Sequence, residues 1–162
     1  MNKIANFFSY VTDMMDRQIS LFVIILTFAL SLLLSLSVFY RYILNDSIYW
    51  SGEVARYMLA YIVFLGSTMA HKHKEHIRID MIFSYLSNKN KKNIDIVIAL
   101  LFISFWVIVL LGCIKLFPLF MMQTTATLGI AYAIPFAALP ISAIIWIFYC
   151  IDDVLALVVK TK

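Results

Sequence analysis

The stretch Ile19–Tyr40, ISLFVIILTFALSLLLSLSVFY, runs 22 residues without one charge. At ~1.5 Å per helical residue it reaches ~33 Å, enough to cross the ~30 Å hydrocarbon core of a bilayer. Three more runs of the same character follow. Residues 96–114 carry no charge, 57–71 only the titratable His71, and 116–151 none over a length too great for one span. Pro118, Gly129 and Pro135 predict a break inside the last run, so Lys115–Ile130 reads as a loop and 131–151 as a helix. The second run is ~5 residues short of the ~20 a span needs unless its helix begins near Ser51. The expectation is an all-α integral membrane protein, one domain over 1–162 with four transmembrane helices at about 19–40, 52–71, 94–115 and 131–151.

Composition closes off the other classes. Apolar residues make up 64% of the 162-residue chain and charged residues 14%, and mean hydropathy is +0.94. A soluble domain carries roughly 45–50% apolar residues, and one of this size could not hide the excess. Gly and Pro together number 4 + 3 = 7, which excludes collagen-like and Gly/Pro-rich disordered chains.

The placement of charge predicts orientation. Of 13 Lys and Arg, Lys3, Arg17, the six between Lys72 and Lys92, Lys160 and Lys162 share one side of a four-span chain. Arg41, Arg56 and Lys115 share the other. The positive-inside rule then places both termini of this multi-pass chain in the cytoplasm. A signal peptide cleaved at Ser35-Leu36-Ser37 is the alternative for the first helix. Its apolar run, however, exceeds the 7–15 residues usual for such a leader.

Within the helices, Thr27, Ser31 and Ser35 are spaced four apart and lay one hydroxyl-bearing face along the first span. Gly66 with Ala70, and Ala138 with Ser142, repeat the small-xxx-small pattern that lets helices approach closely. Pro140 predicts a kink near the middle of the last helix. Tyr40, Tyr42, Tyr49 and Trp50 cluster where an aromatic belt would lie.

The span interiors offer no ionisable group of the kind that marks a substrate or proton path, and no paired broken helices of the kind transporters use at the midplane. Cys113 and Cys150 fall at opposite ends of their spans, ~30 Å apart, against the ~7 Å limit for a disulfide. His71-Lys72-His73-Lys74-Glu75-His76 has His73 and His76 at a metal-compatible spacing, but the cations around them oppose it. Lys72, Lys74 and Arg78 read instead as contacts to anionic lipid headgroups. No catalytic, cofactor or metal site is expected in this chain, and nothing points to nucleic acid.

The richest polar segment joins the first two helices. Ser51 is placed to cap the second helix and Glu53 to complement its dipole. Arg56, three residues on, is spaced to pair with Glu53. With Arg41 and Trp50 they form a cluster at the membrane edge suited to a protein partner.

These residues carry a resemblance. Arg41-Tyr42 after helix one, Trp50-Ser51-Gly52-Glu53 with Arg56, Phe64-Leu65-Gly66 with Ala70, and His76-Ile77-Arg78-Ile79-Asp80 appear in order. Thr125-Ala126-Thr127-Leu128-Gly129-Ile130 and Leu139-Pro140-Ile141 follow them. The chain resembles the small membrane subunit, the Q or DctQ-like component, of tripartite ATP-independent periplasmic (TRAP) transporters, over nearly its whole length. Two departures are Gly52, where many relatives carry a second acid, and Ala131, where the family often has Pro. The first removes one charge from the contact surface.

The resemblance implies a heterocomplex. A large membrane subunit would bind Na⁺ and substrate, a periplasmic binding protein would deliver an organic acid such as a C4-dicarboxylate or sialic acid, and this chain would scaffold the one and help dock the other. Arg41, Trp50, Glu53, Arg56, Gly66 and Ala70 are then candidates for the partner interface, and Thr27, Ser31, Ser35, Ala138 and Ser142 for helix packing. Two other classes stay open. A self-assembling four-helix exporter would want a carboxylate in the first span, and 19–40 has none. A membrane enzyme would have to build its site on the His71–His76 loop.

Overall fold

Backbone groups with no water to bond must bond to one another, and an apolar chain does this locally by coiling. The computed structural model describes residues 2–73 and 88–159. These form α1 (Asn2–Tyr42), α2 (Ser51–Lys72), α3 (Asn88–Met122), the single turn α4 (Ala133–Phe136) and α5 (Ala138–Val159). Phe7–Tyr42, Ile96–Met122 and Ala133–Leu155 are long and apolar enough to cross a membrane. α2 has 22 residues, ~33 Å of helix, but carries Glu53, Arg56 and Lys72.

Helix boundaries depart from expectation in three places. α1 begins at Asn2, not near Ile19, and its 41 residues extend ~61 Å, about twice the hydrocarbon core. No Gly or Pro interrupts residues 2–18, so nothing stops the helix where the charges begin. α3 begins at Asn88, not near 94, and runs through Pro118 to Met122, so Lys115 lies inside a helix and the loop reduces to 123–132. A proline in an apolar helix is tolerated where local adjustment re-satisfies the freed carbonyl. At the last helix, the chain is offset at Ala137 and α5 starts at Ala138. Pro140 therefore occupies its first turn, where a missing N–H breaks no helical bond, and the expected mid-helix kink becomes a helix start.

α5 sits at the centre and packs against α1, α2 and α3, while α1 and α2 lie side by side. Its buried face includes Ala138, Ser142, Trp146, Tyr149 and Cys150, with 0–3% exposure. The expected small pair Ala138 and Ser142 is thus fully buried. Trp146 stacks with both Trp106 and Phe102, at centroid distances of 5.4 and 5.5 Å. Its indole N–H donates to the Ser67 hydroxyl at 3.2 Å. Leu65, Ile145 and Tyr149 form a second cluster, against which Met15, Ile19 and Val23 of α1 pack. The two ends of this bundle are polar: a hairpin end, with the 43–50 and 123–132 connections, and a charged end around Lys72.

Candidate functional site

At the hairpin end the 123–132 loop is held by its own backbone. Thr125 N–H donates to Ile130 O at 2.8 Å, Gly129 N–H to Thr125 O at 3.1 Å, and Tyr132 N–H to Gln123 O at 3.0 Å. Thr124 and Ala131 form an antiparallel bridge. Gly129 turns the chain with φ +66°, a conformation that a side chain makes costly. The Thr125 side chain is buried at 3% exposure, and its Oγ1 accepts the Ile130 N–H at 3.2 Å.

Glu53 ties this loop to α2. It is buried at 5% exposure, Oε2 accepts the Thr127 N–H at 2.9 Å, and Oε1 accepts the Tyr57 hydroxyl. Below it, the Tyr61 hydroxyl donates to Ile134 O at 2.7 Å. A carboxylate accepting from a backbone N–H and a phenol makes charge-assisted bonds, stronger than neutral ones. The Glu53–Arg56 pair expected from their spacing does not form. Arg56 is exposed and its Nε donates to Gly52 O at 3.2 Å in its own helix. Helical spacing allowed either Tyr57 at i+4 or Arg56 at i+3, and loop closure chose the tyrosine, because only that side of α2 meets residues 125–127.

Trp50, not Ser51, is the N-cap residue of α2 and makes no side-chain cap bond. Ser51 is buried and donates to Ile48 O at 2.7 Å. Arg41 is exposed at the end of α1 and makes no ion pair or side-chain hydrogen bond among the described residues. Thr27, Ser31 and Ser35 are exposed and each donates to the carbonyl four residues back, at 2.7, 3.0 and 2.8 Å. Among the described residues no other helix covers their face. Gly66 has open space where a Cβ would stand, so it is not a point of close approach inside the bundle.

The charged end was not legible from spacing. Lys72 Nζ lies 3.0 Å from Asp13 Oδ1 and 3.0 Å from Asp152 Oδ2, and donates to the Thr12 hydroxyl at 2.8 Å. Thr12 is fully buried and its hydroxyl donates to Asp152 at 2.8 Å. Burial alone would lower the Lys72 pKa, but hydrogen bonds and charge from Asp13 and Asp152 outweigh it and hold it above the ordinary lysine value. His71 pairs with Asp153 at 3.0 Å and His73 with Asp16 at 3.1 Å. Lys72 therefore clasps three helices instead of reaching a lipid headgroup, because two carboxylates and a hydroxyl converge on it in the bundle. Lys74, Arg78 and His76 lie outside the described residues. Among the described residues no group of three His, Cys, Asp or Glu is placed to hold a metal. Cys113 and Cys150 are buried free thiols.

Among the described residues the two lysine ion pairs and the two histidine–carboxylate contacts all sit at this end, and the bundle between the ends is apolar. Residues 30–160 match the family of Tripartite ATP-independent periplasmic transporters, DctQ component. The chain belongs to that family. A TRAP transporter small permease protein of Haemophilus influenzae is 28% identical over 67% of this chain and 66% of its own length. The C4-dicarboxylate TRAP transporter small permease protein DctQ of Vibrio cholerae is 29% identical over 52% of this chain and 36% of its own. The Sialic acid TRAP transporter permease protein SiaT of Haemophilus influenzae is 29% identical over 67% of this chain but only 18% of its own. In that relative a region like this one is part of a much longer permease polypeptide. This chain thus matches less than two thirds of the length of each of these three relatives. The family and the apolar helices together make it a multi-pass membrane protein and a transporter component.

Proposed function

We propose that the chain is the small, non-catalytic permease subunit of a Na⁺-coupled, binding-protein-dependent transporter for organic acids. It lies in a bacterial inner membrane, crosses it four times and keeps both termini in the cytoplasm. The large membrane subunit binds Na⁺ and the substrate, a C4-dicarboxylate or a sialic-acid-like carboxylate. This chain widens the fixed part of that subunit, and its hairpin end helps dock the periplasmic binding protein.

The observation that carries the reading is where the polar side chains are spent. Glu53, the buried carboxylate of the hairpin end, holds a loop, and the carboxylates of the charged end hold helices together. Neither set is arranged around a path across the bilayer, which a transport site would require. The exposed hydroxyl face of α1 and the exposed Arg41, Trp50 and Arg56 remain available to partners. Gly66 and Ala70, only partly buried, lie further along α2 as interface candidates.

Reconstitution tests this. Liposomes holding this chain alone take up no labelled organic acid under an inward Na⁺ gradient, and uptake appears when the large subunit and binding protein are added. Na⁺-driven uptake by the chain alone overturns the proposal. Ser87→Cys and Ser47→Cys, in a background lacking Cys113 and Cys150, test orientation with a membrane-impermeant thiol reagent. Labelling of Ser87→Cys from the periplasm refutes the N-in, C-in arrangement.

A further inference from the structure

Between α1 and α5 lies an open groove of about 480 Å³. Val11, Met14, Met15 and Gln18 line it from α1, and Ile141 and Ile144 from α5. Its walls are apolar apart from Gln18, and Met14, Ile141 and Ile144 are 59%, 44% and 44% exposed. In a membrane protein such a groove is filled by a lipid chain or by another helix. Two unbranched methionines in its wall adapt readily to a flexible acyl chain.

Charge at the same level points to the headgroup. Arg17 follows Met14 by three residues and precedes Gln18, so it neighbours the groove-lining face of α1. It is exposed and makes no ion pair or side-chain hydrogen bond among the described residues. Each acid around it has a basic partner: Asp13 with Lys72, Asp16 through Oδ2 with His73, Asp152 with Lys72 and Asp153 with His71, and the second oxygen of Asp16 is buried without a hydrogen bond. An exposed guanidinium that none of these carboxylates reaches, at the charged end of the helices, is suited to a phosphate. We propose that the α1–α5 groove binds one anionic phospholipid, its acyl chain along Met14, Met15, Ile141 and Ile144 and its phosphate on Arg17.

The full-length chain in mild detergent, incubated with equal amounts of phosphatidylglycerol and phosphatidylcholine of matched acyl chains, tests this by native mass spectrometry. The parent retains phosphatidylglycerol about fivefold more than phosphatidylcholine, the factor equivalent to ~1 kcal/mol for one basic residue at a membrane surface. Arg17→Gln brings the ratio to about one without lowering total retained lipid, and Arg17→Lys preserves the preference. Ile144→Trp fills the groove and lowers retention of both lipids several-fold. Thiol inaccessibility of Cys113 and Cys150 shows that each variant is folded. Equal retention by the parent, a preference that survives Arg17→Gln, or undiminished retention in Ile144→Trp overturns the proposal. So does an Ile144→Trp variant that keeps its lipid but no longer co-purifies with a membrane partner, because the groove then belongs to a protein helix.

Discussion

Lys72→Met removes the cation on which α1, α2 and α5 converge and leaves the side chain's bulk in place. Its two ion pairs differ in environment. Asp13 is 65% exposed at its side chain, and such a pair contributes ~0–1 kcal/mol. Asp152 is 15% and Lys72 itself 19% exposed, so this pair approaches the buried case, where removing one partner costs roughly 3–5 kcal/mol. Discounted for the remaining access to water, the Asp152 contact is worth about 2 kcal/mol, and the whole substitution costs about 2–3 kcal/mol. For a chain of this size each kcal/mol moves the melting midpoint by ~2–4 °C, so Tm should fall by roughly 5–10 °C. The protein carries its own reporter. Cys113 and Cys150 are 4% and 1% exposed, and a thiol-reactive fluorophore added during a thermal ramp in detergent lights up only as the bundle opens. Adding Asp152→Leu to Lys72→Met should recover part of the loss by removing the stranded carboxylate, while Asp13→Asn alone should cost no more than ~1 kcal/mol. The raised Lys72 pKa fixes the pH window. This contribution is complete below the unfolded lysine value of ~10.4 and is lost only as pH rises through the folded one, so the parent-to-variant gap should be constant from pH 7 to 9. A Tm for Lys72→Met within ~1 °C of the parent, or an Asp13→Asn as damaging as Asp152→Asn, refutes the reasoning.

Glu53→Gln should loosen the hairpin, raising hydrogen-exchange rates at the Thr125, Thr127 and Ile130 amides, while Arg56→Ala leaves them unchanged. The double reversal Glu53→Arg with Arg56→Glu should not restore protection, since the two do not pair; recovery would show that they do. Gly129→Ala meets open space, so its cost is that of a left-handed backbone alone, ~1–2 kcal/mol; a melt indistinguishable from the parent would contradict the turn. Trp146→Ala removes the ring that stacks with Trp106 and Phe102 and should cost ~3–5 kcal/mol, read as early exposure of the Cys150 thiol, with Trp146→Phe intermediate.

Glu53 and Thr125–Ile130 show how far the chain could be read without its fold. Both appeared in the ordered motifs that identify the family, yet nothing in either segment says that one holds the other. Thr127 is 74 residues from Glu53. The nearer candidate, Arg56, satisfied every local rule and was not the partner. Lys72 was misread for the same reason. In sequence it belongs to a basic run that suggests a lipid-facing collar, and its partners Asp13 and Asp152 lie far from it along the chain.

The sequence by itself determined that this is an apolar helical chain built for a bilayer, where α1 ends and where α2 begins and ends to within two residues, and which family it belongs to. These follow from short-range physics: the length of an uncharged run, the absence of Gly and Pro, and motifs read in order. Tertiary structure decided the rest. α5 became the central helix, Glu53 a clamp, Lys72 a clasp, and the hydroxyl face of α1 an outer surface. Helical periodicity specifies which side chains share a face, but the neighbour that face meets depends on how the helices pack and where a distant loop returns.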